Sequence, residues 1–304
     1  TSILIAIMAV LMLALVPRTS GTAQFSFLDS LSGKDLGTVK LPGLPTVLVS
    51  GILCALAAVA FAFKRSHGWI GTISGVVACV TVVVGLLTWA AAGASLPFQV
   101  SSQLEGTISL ATPLILGALC GVMCERSGVV NVAIEGQMLT AAFTAALVGS
   151  MTQSIAAALV AAVLAGVLMG ALLALFTIKY LVDEVVMGVV VNLFASGLTG
   201  FLFNQLLVTD AEKYNAAPIM EPIAIPGLSR IPFLGPILFT QTVLVYIGVL
   251  CIALVGFLLW RTRWGLRIRS VGEHPEAADT VGISVTAVRW SAVLVGGVFA
   301  GLGG

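Results

Sequence analysis

Three groups of residues have types and spacings that can hold a substrate or a partner. The first is Glu125, Arg126, Asn131, Glu135 and Gln137, a cluster of polar side chains set between two apolar runs. A charge at bilayer depth costs about 2.5–3.5 kcal/mol on insertion scales, so it persists only when paired or facing water. Asn131 and Glu135 are four apart, and a helix through both would place them on one face. Glu125 and Arg126 are adjacent and would not face each other on a helix. Two readings stay open. One is a polar lining of a translocation path. The other is a structural network, either a carboxylate bonding the N–H groups of a broken helix or a turn in ordinary water.

The second group is Glu276, Ala277, Ala278 and Gly282, within RTRWGLRIRSVGEHPEAADTVGISVTAVRW from Arg261 to Trp290. Pro275 suits a helix start and Gly282 a helix end, which predicts a short helix between two apolar runs. Small alanines allow close approach, Glu276 offers a charged acceptor and glycine permits a turn. Arg261, Arg263, Arg267, Arg269 and Arg289 surround it. A docking element and a plain solvated loop both fit that charge. The third group is Asn192, in the middle of an apolar run, with Asn204 and Gln205 near its end. Phe143 and Phe194 have faces on which a base or sugar can stack. A single Asn in a span also serves as an interhelical hydrogen bond, and either aromatic also fits a core or lipid-facing position.

Other chemistries lack their residues. Cys120 and Cys124 share a helical face, but a metal site needs more ligands than two thiols, and His67 and His274 lie elsewhere. The five cysteines read as small buried apolar residues. The Gly33-Lys34 pair lacks the earlier glycine of a P-loop. There is no HExxH and no nucleophile elbow. The expectation is a chain with no catalytic residue, no metal and no cofactor of its own.

The elements that carry these groups follow from composition. The 304 residues are 59% hydrophobic and only 9% charged, against about 25% charged in soluble domains. That excludes a soluble enzyme and a disordered chain. A net charge of +1 gives no reason to expect nucleic acid as a partner. A membrane helix needs about 20 mostly apolar residues. Candidate spans fall at 2–17, 46–63, 69–92, 106–124, 138–150, 154–178, 185–208, 239–260 and 290–304. The fifth is short, which suggests a half-helix or a re-entrant segment. The fold class is therefore all-α, a polytopic transmembrane helical bundle of about eight or nine spans. Thr1 is not Met, and the last residues, Ser291 to Gly304, stop inside an apolar run, so both ends look cut.

Lys and Arg set the orientation. The segment 261–289, the turn at Lys64, Arg65 and His67, and the turn at Lys179 fall on one side if every span crosses. That side is the cytoplasm. The loops 18–45 and 209–238 then lie outside, although Arg18, Lys34 and Lys40 weaken the contrast. The Pro-rich stretch Thr209 to Pro236 reads as a cap over the outer mouth, or as a docking site for an external partner. Gly117/Gly121, Gly166/Gly170 and Gly297/Gly301 are small-xxx-small pairs that suit tight helix contacts. Asp183 and Glu184 read as an N-cap and a first-turn acid.

Glu276-Ala277-Ala278-x-x-x-Gly282 resembles the EAA---G signature of ATP-binding-cassette (ABC) importer permeases. In that family this loop forms a coupling helix that fits a cleft on the cytoplasmic ATPase. GALCGVMCERSGVVNVAIEGQMLTAAFTAALVG, Gly117 to Gly149, follows TISLATPLIL and resembles the permeases of branched-chain amino acid, simple-sugar and nucleoside importers. The run from Glu125 to Asn131 and Ile134-Glu135-Gly136 look most like the nucleoside and simple-sugar branch. VDEVVMGVVVNLFASGLTGFLF, Val182 to Phe203, is similar to the family's next block. The resemblance covers residues 105–304, and the earlier spans match no family pattern.

The resemblance implies a single permease domain over 1–304, with N-terminal spans in 1–104, a core in 105–304 and a coupling loop at 261–289. It implies a subunit of a bacterial ABC importer, most like those for nucleosides, in the inner membrane. Such a subunit forms half of a translocation path by alternating access. Its partners are a second, non-identical permease, a cytoplasmic ATPase that binds ATP and Mg, and an extracytoplasmic substrate-binding lipoprotein. The path candidates are Asn131, Glu135, Gln137, Asn192, Phe143 and Phe194. The ATPase-contact candidates are Glu276, Ala277, Ala278, Gly282, Arg267 and Arg269. A simple-sugar or branched-chain amino acid permease is the alternative, and an ion-coupled carrier a more distant one. If Asn192 contacts substrate, Asn192→Leu reduces uptake more than assembly.

Overall fold

The computed structural model describes residues 2–28, 35–63 and 69–304. The turn at Lys64, Arg65 and His67 lies outside those residues, as do Asp29 and Lys34. Each of the nine expected apolar runs forms a helix. These are α1 (Ser2–Leu15), α2 (Gly43–Phe63), α3 (Trp69–Ala91), α4 (Val100–Glu125), α5 (Ile134–Thr152), α6 (Ile155–Ala174), α7 (Glu184–Leu202), α10 (Val243–Arg261) and α13 (Val285–Gly303). Among the described residues, seven helical segments are long and apolar enough to cross a membrane. They are Gly43–Phe61, Gly71–Ala91, Val100–Glu125, Ile155–Lys179, Glu184–Leu207, Val243–Arg261 and Val285–Gly303. The protein is a multi-pass helical membrane protein.

Helix α5 is longer than its apolar run. It has 19 residues, about 28 Å at 1.5 Å per residue. Its first turn contains Glu135 and Gln137, which an apolar count leaves out. α6 and α7 each end in a single π-helical turn, Leu175–Lys179 and Phe203–Leu207. Between the long helices lie the short α8 (Ala211–Tyr214), α9 (Leu234–Phe239), α11 (Arg263–Glu273) and α12 (Pro275–Thr280).

The segment 18–45, read from sequence only as a loop, contains an antiparallel pair. Strands β1 (Thr22–Leu28) and β2 (Asp35–Pro42) pair in the register Phe25 to Val39, and β3 (Phe98–Gln99) adds parallel to β1. Alternation explains it: Ala23 and Phe25 are buried against Ala91 and Phe98, with Gln24 between them. β4 (Ile223–Ala224) and β5 (Thr240–Gln241) form a second small ladder.

The chain divides into two compact units, Thr1–Glu105 with Ile225–Phe239, and Gly106–Ala224 with Thr240–Gly304. In the first, α1, α2 and α3 pack around Ile5, Ala9, Cys54, Ala57, Ala58 and Ala78. In the second, the core joins Leu116, Cys120 and Cys124 of α4 to Val255 of α10, Ile268 of α11 and Val293 of α13. Two of the glycine pairs meet each other there. A methyl on Gly297 would lie 2.8 Å from the Gly166 carbonyl oxygen, and one on Gly301 would lie 2.7 Å from the Ala162 carbonyl oxygen. α6 and α13 thus touch backbone to backbone, which any larger residue would prevent.

Candidate functional site

All of the sequence-derived site residues fall in the second unit. α4 ends in a Schellman turn. Gly128 has φ +79°, its N–H donates to Glu125 O at 3.0 Å, and the Val129 N–H donates to Cys124 O at 3.1 Å. Ser127 Oγ adds a bond to Cys124 O at 2.7 Å. Residues 129–132 then run without regular structure until α5 starts at Ile134. Asn131 and Glu135 therefore do not share a helix face, contrary to the expectation from their i,i+4 spacing. The glycine turn stops one helix and the next has not begun at Asn131. Asn131 is buried, while Glu125, Arg126 and Glu135 are exposed.

α7 holds this connection in place. Asp183 caps α7 by accepting from Val185 N–H at 3.0 Å and Val186 N–H at 2.9 Å. Glu184, read from sequence only as a first-turn acid, accepts the Val130 N–H through Oε2. One turn on, Gly188 lets the helices close up, since a methyl there would sit 2.7 Å from Val132 Cβ. Asn192 completes the clamp. Its Nδ2 donates to Val132 O at 3.0 Å, and its Oδ1 accepts the Gly136 N–H at 2.8 Å.

Behind the connection lies a buried polar cluster. Asn131 Oδ1 accepts the Ala133 N–H at 3.0 Å. Asn131 Nδ2 faces Cys120 Sγ at 3.3 Å, Cys124 Sγ at 3.5 Å and Gln137 Oε1 at 3.4 Å. Gln137 is fully buried, and its Nε2 has no partner. Cys120 and Cys124 are not merely apolar filler, because they accept from the Asn131 amide inside the connection. Of the path candidates, Asn131, Gln137 and Asn192 turn inward or onto backbone. Phe143 is half-buried, and Glu135 and Phe194 are exposed. Among the described residues no group of three His, Cys, Asp or Glu is placed to hold a metal.

A cavity of about 360 Å³ lies elsewhere in this unit, lined by Ser109, Thr112, Pro113, Ala217, Pro218 and Thr242 among others. None of the path candidates lines it. Its few hydroxyls on mostly apolar walls give no pattern that the sequence alone reveals.

The Arg-rich segment folds as two short helices. Thr262 caps α11 through the Gly265 N–H at 3.1 Å, and Pro275 opens α12. Gly282, with φ +84°, ends α12 in a second Schellman turn, with Gly282 N–H to Asp279 O at 2.9 Å and Ile283 N–H to Ala278 O at 3.0 Å. The four motif residues separate by exposure. Glu276, Ala277 and Gly282 are exposed, whereas Ala278 is buried in the core beside Val271 and Val288. Ala278 thus packs inward and presents nothing to a partner. Arg267 is exposed, but Arg269 is half-buried, its guanidinium 4.4 Å from the centroid of the Trp260 ring.

α11 rests directly on the α4 turn. A methyl on Gly272 would collide with the Arg126 carbonyl oxygen and lie 3.3 Å from Gly128 N. Packing is therefore continuous from α12 through α11 to the connection that α7 clamps.

Residues 103–304 match the family described as branched-chain amino acid transport system / permease component. That is two thirds of the chain. The chain belongs to this permease family. It is 44% identical over 208 residues to the guanosine ABC transporter permease protein NupQ of Bacillus subtilis, covering 65% of this chain and 64% of the relative. It is 41% identical over 203 residues to the nucleoside ABC transporter permease protein NupC of Lactococcus lactis, covering 64% and 62%. The glucose ABC transporter permease protein TsgB13 of Haloferax volcanii is 27% identical over 207 residues, covering 64% and 53%. The chain thus spans somewhat under two thirds of the length of these relatives. No solved structure matches it. The permease-family block contains the α4–α5 connection, α7, α11 and α12.

Proposed function

We propose that this chain is a permease subunit of an ATP-driven importer of nucleosides in a bacterial plasma membrane. It contributes half of a translocation path, and a second, non-identical permease contributes the other half. A cytoplasmic ATPase binds ATP and Mg and docks on α12, and an external lipoprotein delivers substrate. The chain itself performs no covalent chemistry.

The observation that carries this reading is the continuous packing of α12, α11 and the α4 turn inside the block matched by the permease family, in a chain 41–44% identical to two nucleoside permease proteins over about two thirds of its length. Glu276, Ala277 and Val281 are exposed on α12 and its turn and form the ATPase contact. Ala278 ties that surface to the core. Movement of α12 is passed by α11 to the Arg126–Gly128 turn, and from there to α5 and α7. Glu135 and Phe194 lie on the open sides of that α5–α7 pair and line the path. Asn131 and Asn192 hold the pair in shape. Phe143 and Gln137 support α5 from within.

Reconstitution tests it: the chain, its partner permease, the ATPase and the binding protein in liposomes accumulate labelled nucleoside with ATP and not without. The second reading, a simple-sugar permease, is favoured by the likeness to the glucose permease protein. Accumulation of sugar in place of nucleoside in the same liposomes supports it.

A further inference from the structure

The junction of α10 and α11 carries Arg261, Arg263, Arg267 and Arg269. Among the described residues no carboxylate forms an ion pair with any of them. Arg269 is the unusual one. Its guanidinium lies over the Trp260 ring, and its Nε is buried with no hydrogen-bond partner. A half-buried guanidinium with one buried N–H left unbonded gains from an anion at its remaining N–H groups.

Trp260 identifies the environment of that guanidinium. It is 61% exposed and ends an outward face of α10 that runs through Val249, Ala253 and Phe257. Such a face on an apolar helix, closed by a tryptophan, marks the boundary between hydrocarbon and headgroups. α11 is amphipathic in the matching sense. Ile268 and Val271 are buried, while Arg263, Leu266 and Arg267 are exposed. An exposed leucine between arginines fits a helix lying in the headgroup layer. Stacking on Trp260 fixes the guanidinium plane, in which the two Nη groups can donate to two oxygens of one phosphate.

We propose that Arg269, held against Trp260, binds the phosphate of an anionic glycerophospholipid at the cytoplasmic interface. Arg261 and Arg263 add positive charge at the same junction, and the Phe257 face of α10 takes the acyl chains. Arg269 then belongs to a lipid site, not to the ATPase contact. The inference rests on the chain spanning a membrane and does not depend on the identity of the substrate.

The test is lipid retention by the purified transporter complex in detergent, read by native mass spectrometry with phosphatidylglycerol or phosphatidylcholine added. The wild-type complex retains phosphatidylglycerol in preference to phosphatidylcholine. Arg269→Gln lowers that retention about fivefold, as expected for loss of one basic contact at a membrane surface, and Trp260→Leu, which removes the stacking surface, lowers it in the same direction. Arg267→Gln, a change on the exposed face, has less effect. Arg269→Lys keeps the charge without the stacked fork and retains an intermediate amount, which separates the site from a general folding defect. Equal retention of the two lipids, or equal losses in the Arg267 and Arg269 variants, overturns the proposal. Displacement of the lipid by soluble glycerol phosphate overturns it in favour of a free-anion site. Loss of the ATPase from Arg269→Gln with phosphatidylglycerol still bound overturns it in favour of a protein partner.

Discussion

The Oδ1 of Asn192 accepts the N–H of Gly136 at 2.8 Å, across the contact between α7 and α5. Gly136 lies in the first turn of α5, where backbone N–H groups lack partners within their own helix. Ala133, the residue before α5, supplies no side-chain cap. Asn192 performs that task from the neighbouring helix, and its other end secures Val132 O.

This relationship sets the outcome of Asn192→Leu. The substitution leaves the part-buried Gly136 N–H without its partner, at about 1–3 kcal/mol, and removes the exposed bond to Val132 O. Assembly and uptake fall together, in place of the selective loss of uptake that a substrate contact implies. Membrane yield and melting temperature of the purified variant, measured beside uptake, check it.

The neighbouring alanines of α12 respond oppositely to enlargement. Ala278→Leu overpacks the core and lowers stability by about 1–3 kcal/mol. Ala277→Leu stays within about 0.5 kcal/mol, as an exposed change does, but weakens retention of the ATPase. Thermal melting and co-purification of the ATPase separate the two effects. Glu276→Lys, on the same exposed surface, leaves the protein in the membrane and uncouples ATP hydrolysis from uptake. Normal transport by that variant removes α12 from the docking role.

Gly272→Ala tests the link between the cytoplasmic segment and the α4 turn. The added methyl meets the Arg126 carbonyl oxygen, which is backbone and cannot rotate aside. The separation must widen, at about 1–3 kcal/mol. The expected result is a lower melting temperature together with fewer substrate molecules moved per ATP hydrolysed. An unchanged ratio contradicts the transmission route.

Exposed and buried path candidates also separate. Glu135→Ala and Phe194→Ala are surface changes on this subunit, expected to alter stability by about 0.5 kcal/mol or less, and to reduce uptake severalfold. Gln137→Met removes an unpartnered donor and only long contacts of 3.4–3.5 Å. Its cost is about 1 kcal/mol or less, and uptake persists. Initial uptake rates normalised to membrane protein decide between them.

Much of this architecture was legible in the residues. Apolar length alone located every long helix, and the glycine pairs of α6 and α13 were readable as a close crossing because a small-residue spacing has few other uses in a span. The arginine segment and Gly282 announced α12. What periodicity concealed was the turn at Gly128. A glycine inside a polar run leaves open whether the helix continues, and a helix through Asn131 and Glu135 places them on one face. The roles of Glu184 and the paired cysteines were invisible for a different reason. Their partners are backbone and amide groups distant in sequence, and spacing says nothing of those. The pairing of β1 with β2 was hidden by the hydropathy of its surroundings, although Ala23 and Phe25 alternate as a half-buried strand does.

The central claim is nucleoside import, and the most direct measurement is uptake of a labelled nucleoside in cells with and without this gene, competed by unlabelled nucleosides, ribose and leucine. The account predicts gene-dependent uptake that nucleosides block and that ribose and leucine leave unchanged. Uptake that ribose or leucine blocks equally well, or no gene-dependent uptake at all, would contradict it.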